Sequence, residues 1–209
     1  MPDAENICRA SEKILKLIAS LERQGQKPLL VALDGGSGSG KSSIAKIIAE
    51  KLRATLISTD DFYSAQISDT DWISQSYIER VANVINWKSL RSLVLEPLLA
   101  GTAAQWNTFD FESGLRPDGT YATKSDPIIY EPTDIIVLEG AYSTSPELAD
   151  LINVKILIHA PVEIRHERLN KREKKEFLAK WHERWDEPEQ YYFQHLRPAS
   201  AFDLVIDNC

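Results

Sequence analysis

The sequence predicts an α/β fold, a parallel sheet covered by helices on both faces. Three observations carry this. Short apolar runs of strand length alternate with segments of helical periodicity along the chain. The run Leu29 to Leu33 is apolar throughout and ends in Asp34 and a glycine-rich turn, as a strand buried on both sides would. A helical pattern follows that turn at once. The 209 residues can bury one substantial core and read as a single domain over residues 1–209, with no repeat and no low-complexity linker.

The elements follow in order. Residues 5–24 predict a helix, with Ile7, Ile14, Leu15, Leu17, Ile18 and Leu21 at helical spacing and Gly25 and Pro28 as its stop. After the strand Leu29 to Leu33, the helix from Lys41 carries Ile44, Ile47, Ile48 and Leu52. Thr55 to Thr59 predicts a second strand, while residues 60–80 are too mixed to assign. Trp87 to Leu99 predicts a helix closed by Gly101. Residues 103–131 predict a β-hairpin insertion, its arms Gln105 to Phe111 and Tyr121 to Tyr130 joined through Gly114, Pro117 and Gly119. Ile135 to Leu138 and Val154 to Ile158 predict buried strands. Pro161, read at the first helical position, opens a charged helix to about Lys175. A further helix over about 176–195 and a strand Phe202 to Ile206 complete the chain.

Composition excludes several classes. Apolar content of 43% and charged content of 26% are those of a globular chain, not a disordered or fibrous one. No apolar run is long enough to span a bilayer. Asp3 and Glu5 precede any apolar stretch, the wrong order for a secretory signal. Cys8 and Cys209, the only cysteines, cannot form a disulfide framework. A cytoplasmic location is the expectation. The net charge of −7 argues against nucleic acid as a partner, so any basic site must be local. Self-association into a homo-oligomer stays open.

The chemistry concentrates in Gly35-Gly36-Ser37-Gly38-Ser39-Gly40-Lys41-Ser42, which fits the phosphate-loop pattern G-x-x-x-x-G-K-S/T at every specified position. Glycines let successive backbone N–H groups turn inward on phosphate oxygens, and the helix that follows offers its positive end to the same anion. Lys41 would reach the β- and γ-phosphates, and Ser42 would meet Mg²⁺. Ser43 follows in the same cradle. ATP and Mg²⁺ are the expected cofactor pair, and a P-loop NTPase-type sheet is the expected fold.

Other residues narrow the reaction. Glu139 ends an apolar strand, where parallel strands gather around a ligand, and is expected beside the metal. Asp60 and Asp61 end another strand; one carboxylate beside the γ-phosphate could deprotonate an acceptor hydroxyl. Arg165, Arg168 and Arg172 share a helix face in a segment, 165–175, holding six basic residues. Guanidinium groups suit phosphate oxygens, so residues 161–185 read as a phosphate-clamping helical lid. D-x-x-G and N-K-x-D are absent, which disfavours a switch GTPase. His159, His166, His182 and His195 show no metal-ligand spacing. Trp181, Trp185, Tyr191 and Tyr192 read as packing against the sheet.

These motifs resemble the uridine kinase and phosphoribulokinase group of P-loop kinases. The resemblance rests on the loop Gly35 to Ser42, the run Ser58-Thr59-Asp60-Asp61-Phe62-Tyr63, Val137-Leu138-Glu139-Gly140, the arginines from Arg165, and the terminal Pro198 to Asn208. It implies ATP-dependent transfer to a hydroxyl, usually the 5′-hydroxyl of a nucleoside. Asp60 would be the base, ahead of Asp61, and would lie near the metal with Ser42 and Glu139. Arg165 would serve the nucleotide, with Arg168 and Arg172 acting on the phosphoryl group. Phe62, Tyr63, Trp106 and Phe109 could stack on an aromatic acceptor.

The acceptor half departs from that group. Where uridine kinases carry an acidic D-H-P-D-A-F-D run, this chain has Arg80-Val81-Ala82-Asn83-Val84-Ile85-Asn86. Phe109 replaces the tyrosine of Y-D-F, and Gly114 stands near the place of a histidine. Another nucleoside, pantothenate or a different small alcohol therefore stays open as acceptor. Two rivals remain. One is a nucleoside monophosphate kinase of the cytidylate type, which Asp34 before the glycine turn resembles. The other is a nucleotide-binding regulator with no acceptor.

Overall fold

The computed structural model describes residues 4–22, 25 and 27–209. Arg23 and Gln24, the end of the expected first helix, and Asp3 lie outside the described residues. The first helix, α1, spans Ala4–Glu22; β1 spans Leu29–Asp34, α2 Lys41–Leu52 and β2 Thr55–Ser58. The unassigned stretch resolves into a 3₁₀ turn, Thr59–Phe62, and two short helices, α3 at Asp69–Ser74 and α4 at Tyr77–Asn83. Both helices are locally encoded. Ser68 Oγ accepts from Asp71 N–H, and Ser76 with Glu79 forms a reciprocal capping box.

The helix expected over 87–99 is continuous but not uniform: Trp87–Ser89 (α5) runs through a π-helical stretch, Leu90–Leu95, into Glu96–Leu99 (α6). The hairpin is present, with β3 at Ala104–Trp106 antiparallel to β4 at Ile128–Tyr130 and a bridge between Phe109 and Thr123. Then come β5 at Ile135–Glu139, β6 at Val154–His159, α7 at Val162–Arg172, α8 at Lys175–Tyr191 and β7 at Leu204–Asp207. Pro161 is the N-cap of α7 with ψ 146°, not its first helical residue. The second and last strands are displaced by a residue or two from the expectation, because Thr59 enters the 3₁₀ turn and Ala199–Ala201 forms another just before β7.

The sheet is parallel throughout, in the order β2-β5-β1-β6-β7. Its alternation divides the core. Leu30, Ala32, Ile136 and Leu138 face the side covered by the 87–99 helical run, α3, α4 and α8. Leu29, Val31, Leu33, Ile135 and Val137 face α1 and α2 through Ile14, Ile18, Ile44 and Ile48. Both faces are therefore dry, which explains why the strands read as unbroken apolar runs. The register sets Glu139 between Ser58 of β2 and Leu33 of β1, so three chain segments deliver their carboxyl ends to one edge.

Candidate active site

The phosphate loop sits at that edge, between β1 and α2. Gly40 caps α2 with φ 91°, a left-handed conformation that glycine adopts at least cost. Lys41 is buried at the first turn of the helix. Ser42 Oγ donates to Glu139 Oε2 at 2.8 Å, so loop and strand end meet as the spacing predicted. The pairing of Glu139 with Gly140 has a steric reason: Gly140 has φ 134°, and a Cβ there would collide with the Thr59 hydroxyl. The Glu-Gly strand end and the Thr59-Asp60-Asp61 turn thus pack directly on each other. Ser42 and Glu139 form an all-oxygen pair with the hard-donor chemistry Mg²⁺ takes.

Asp34 organises the base of the loop. It is fully buried, and five donors converge on it. Oδ1 accepts from Gly35 N–H (2.8 Å) and Tyr142 N–H (3.0 Å). Oδ2 accepts from Thr144 N–H (3.0 Å), Thr144 Oγ1 (2.7 Å) and the Tyr192 hydroxyl (2.7 Å). Burial pushes its carboxyl up, and the donors oppose that rise. Asp34 thereby ties the loop to the segment after β5 and to the end of α8. Four of the five donors come from 108 to 158 positions away, which hides this role from the sequence.

A cavity of about 730 Å³ opens beside the loop, and Ser37, Asp60 and Glu189 are on its wall. Tyr63, Phe109, Tyr121 and Trp185 supply an aromatic side, mutually packed with ring centroids 4.9–6.3 Å apart where they meet. Val84 and Ile85 line it too. The far end is polar: Asp69 Oδ1 accepts from Arg184 (2.9 Å) and from the Tyr121 hydroxyl (3.1 Å). Asp60 and Asp61 separate cleanly. Asp60 is exposed on the cavity wall, whereas Asp61 is half-buried away from it. Burial pushes the Asp61 carboxyl up to about 6, with Asp60 and Glu139 adding to the rise and the Trp106 indole opposing it.

A family model for Cytidylate kinase matches residues 31–103, the loop and the segments that follow it. A uridine kinase of Halobacterium salinarum is 30% identical over 139 residues, 65% of this chain and 58% of that one. A uridine kinase of Streptococcus uberis is 25% identical over 195 residues, 87% of each chain. The chain is similar to uridine kinases in sequence, over most of its length in the second case. A possible uridine kinase from Bacillus stearothermophilus shares the fold at TM-score 0.70 and 17% identity, over 97% of this chain and 98% of that one. A D-glycerate 3-kinase from Cryptococcus neoformans shares it at TM-score 0.56 and 15% identity, over 96% and 88%. The chain spans little more than half, 58%, of the Halobacterium relative's length.

The structure refines several expectations. Phe62 and Trp106 do not face the cavity; they stack on each other in the core at 5.8 Å, because residues three apart share a side of a 3₁₀ turn, which buries Thr59 with Phe62 and leaves Asp60 with Tyr63 on the wall. Tyr63 and Phe109 do reach the wall. The arginine stripe divides. Arg165 Nη1 donates to Ser37 O (3.0 Å), and Arg168 reaches Gly38 O, Ser39 O and Asn208 O at 3.0–3.4 Å. These two grip the loop's carbonyls from behind, since the face they share packs on the loop. Arg172, one turn on, pairs with Glu173 at the cavity rim. The 161–185 region is thus docked on the loop.

Two residues were missed. Glu189 is buried, bonded to Arg165 Nη1 (2.6 Å) and Ser37 N–H (2.9 Å). Arg184 reaches the cavity from what reads as a merely charged helix. The histidines are less scattered than their spacing implies: His166 of α7 and His182 of α8 meet with ring centroids 4.2 Å apart and planes tilted by 52°, beside Asp186. His182 Nδ1 is engaged by Asp186 at 2.9 Å, a contact within α8 that orients the ring toward α7.

Proposed function

We propose that the chain is an ATP-dependent kinase that passes the γ-phosphate to a hydroxyl of a small, uncharged, nucleoside-like acceptor. One observation carries this reading: Asp60 and Ser37 of the phosphate loop share the wall of a single cavity whose other side is aromatic. An acceptor ring lying on Tyr63, Phe109 and Tyr121 could turn a hydroxyl toward Asp60. Asp60 would take the hydroxyl proton as that oxygen bonds to phosphorus and the bond to the ADP oxygen breaks. Lys41 and the loop N–H groups would hold the β- and γ-phosphates, with Arg172 at the rim. Ser42 and Glu139 would hold Mg²⁺, which supplies charge neutralisation on the phosphates.

Charge separates an uncharged acceptor from a phosphorylated one. The wall carries Arg172, Lys180 and Arg184 against Asp60, Asp69, Glu173 and Glu189. Arg184 is already neutralised by Asp69, and Arg172 by Glu173. Among the described residues of that wall, a nucleoside monophosphate would find both guanidiniums already paired, which weighs against the cytidylate-type reading despite the family match. Val84 and Ile85 line the wall from the segment where uridine kinases carry acidic residues, so the acceptor's ring meets apolar surface. The test is ADP release from ATP in a panel of nucleosides, nucleoside monophosphates, pantothenate and sugars. The expected outcome is stimulation by an uncharged nucleoside-like alcohol. Preference for a monophosphate, or no stimulation by any member, contradicts the proposal.

A further inference from the structure

Glu189 has a place that neither the phosphate loop nor the acceptor wall explains alone. It is 7% exposed, and both its oxygens are committed. Oε2 accepts from the Ser37 N–H at 2.9 Å, and Oε1 accepts from Arg165 Nη1 at 2.6 Å. Arg165 Nη1 in turn donates to the Ser37 carbonyl at 3.0 Å. The Ser37 N–H and C=O are therefore held together, one by a carboxylate and the other by the guanidinium paired with it. The two peptide units that flank the Ser37 Cα are thus each held, and neither can rotate without breaking a nearly dry, charge-assisted pair.

A second observation concerns Gly36. Its φ lies outside the left-handed region, so conformation does not demand glycine there. Space does: a Cβ on Gly36 would stand 2.7 Å from both Arg165 Cζ and Glu189 Oε1. The loop's second glycine is shaped around the Arg165–Glu189 pair.

The third observation is where Glu189 sits on its helix. Trp181, Trp185 and Glu189 lie four residues apart along α8, on one face, and all three line the cavity. Trp185 packs on Trp72 at 5.3 Å and on Tyr63 at 6.0 Å. One rigid helical face thus runs from the acceptor wall to the loop amide. We propose that Glu189 is a positioning residue that couples the acceptor side of the cavity to the phosphate loop by fixing the peptide units on either side of Ser37, one directly and one through Arg165. This rests on the kinase reading for its consequence in turnover, and on geometry alone for the loop contact.

Two readouts separate those parts. Glu189→Gln keeps the side chain's volume but turns one of the two accepting oxygens into an NH2 donor, which in the same pose must face either the Ser37 N–H or Arg165. Amide hydrogen exchange over residues 35–40 in Glu189→Gln should be faster by about tenfold or more, with the melting temperature little changed. Phosphoryl transfer should lose about tenfold or more in kcat, the scale on which small misplacements act, while KM for the acceptor stays within about threefold. Gly36→Ala should reproduce both effects by wedging the pair apart. Unchanged exchange in Glu189→Gln, or faster exchange with wild-type kcat, overturns the proposal. If the wild-type chain transfers phosphate to no acceptor, the kinase reading is what fails, and unaltered loop exchange still sinks the Glu189 contact.

Discussion

Asp60 and Asp61 are adjacent in sequence and opposite in environment. The 3₁₀ turn puts Asp60 on the cavity wall and draws Asp61 into partial burial, where its carboxyl rises to about 6. A carboxyl raised above its unfolded value near 3.8 keeps its proton longer in the native state. Its contribution is present below pH 4 and is lost as pH rises through about 6. In magnesium-free buffer, Asp61→Asn should therefore gain stability relative to the wild type between pH 4 and pH 7, measured by urea unfolding at each pH. A constant difference across that range contradicts the burial argument. The sequence ranks Asp60 above Asp61 only through family resemblance, since no local pattern tells which carboxylate a turn will bury. Asp34 and Glu189 were out of reach for a related reason. Their roles consist of contacts to residues more than a hundred positions away, in Tyr142 and Tyr192 for one and Ser37 for the other.

Among the elements, α8 shows how a local defect is repaired at a distance. Pro188 inside this helix has no N–H, so the carbonyl of Arg184 lacks its usual donor. Arg80 of α4 supplies one, Nη1 to Arg184 O at 3.0 Å, while its Nε donates to Trp72 O of α3 at 3.0 Å. One guanidinium thus closes the gap in α8 and caps α3 beside the aromatic wall. Arg80→Met would keep the apolar stem and leave both carbonyls without that partner. A loss of about 2 kcal/mol in unfolding free energy is expected, measured by denaturant titration. A change below about 0.5 kcal/mol would assign Arg80 to the neutral surface. The hairpin and the 87–99 helix were legible because alternation and helical spacing are local signals. The three arginines of α7 were read as one face; two of them bond the loop's carbonyls and the third pairs at the cavity rim. Periodicity gives the face, and only packing says what the face meets.

At the scale of the molecule, the strands were readable because both faces of the sheet are buried, which turns each strand into an apolar run. Their order was not readable, yet that order does the functional assembly: β2, β5 and β1 are neighbours, so Asp60, Glu139 and the phosphate loop arrive at one edge. Donor chemistry was legible because a phosphate loop is contiguous in sequence. The acceptor wall draws on the 3₁₀ turn, the hairpin, α7 and α8, and no contiguous stretch encodes it. The account stands on that shared cavity and on Asp60 within it. Its most direct test is Asp60→Asn, assayed for phosphoryl transfer to the acceptor the panel selects and, separately, for ATP binding by titration calorimetry. Transfer should fall by about a hundredfold or more while the ATP dissociation constant stays near the wild-type value. Full turnover in Asp60→Asn, with ATP still bound, would contradict it.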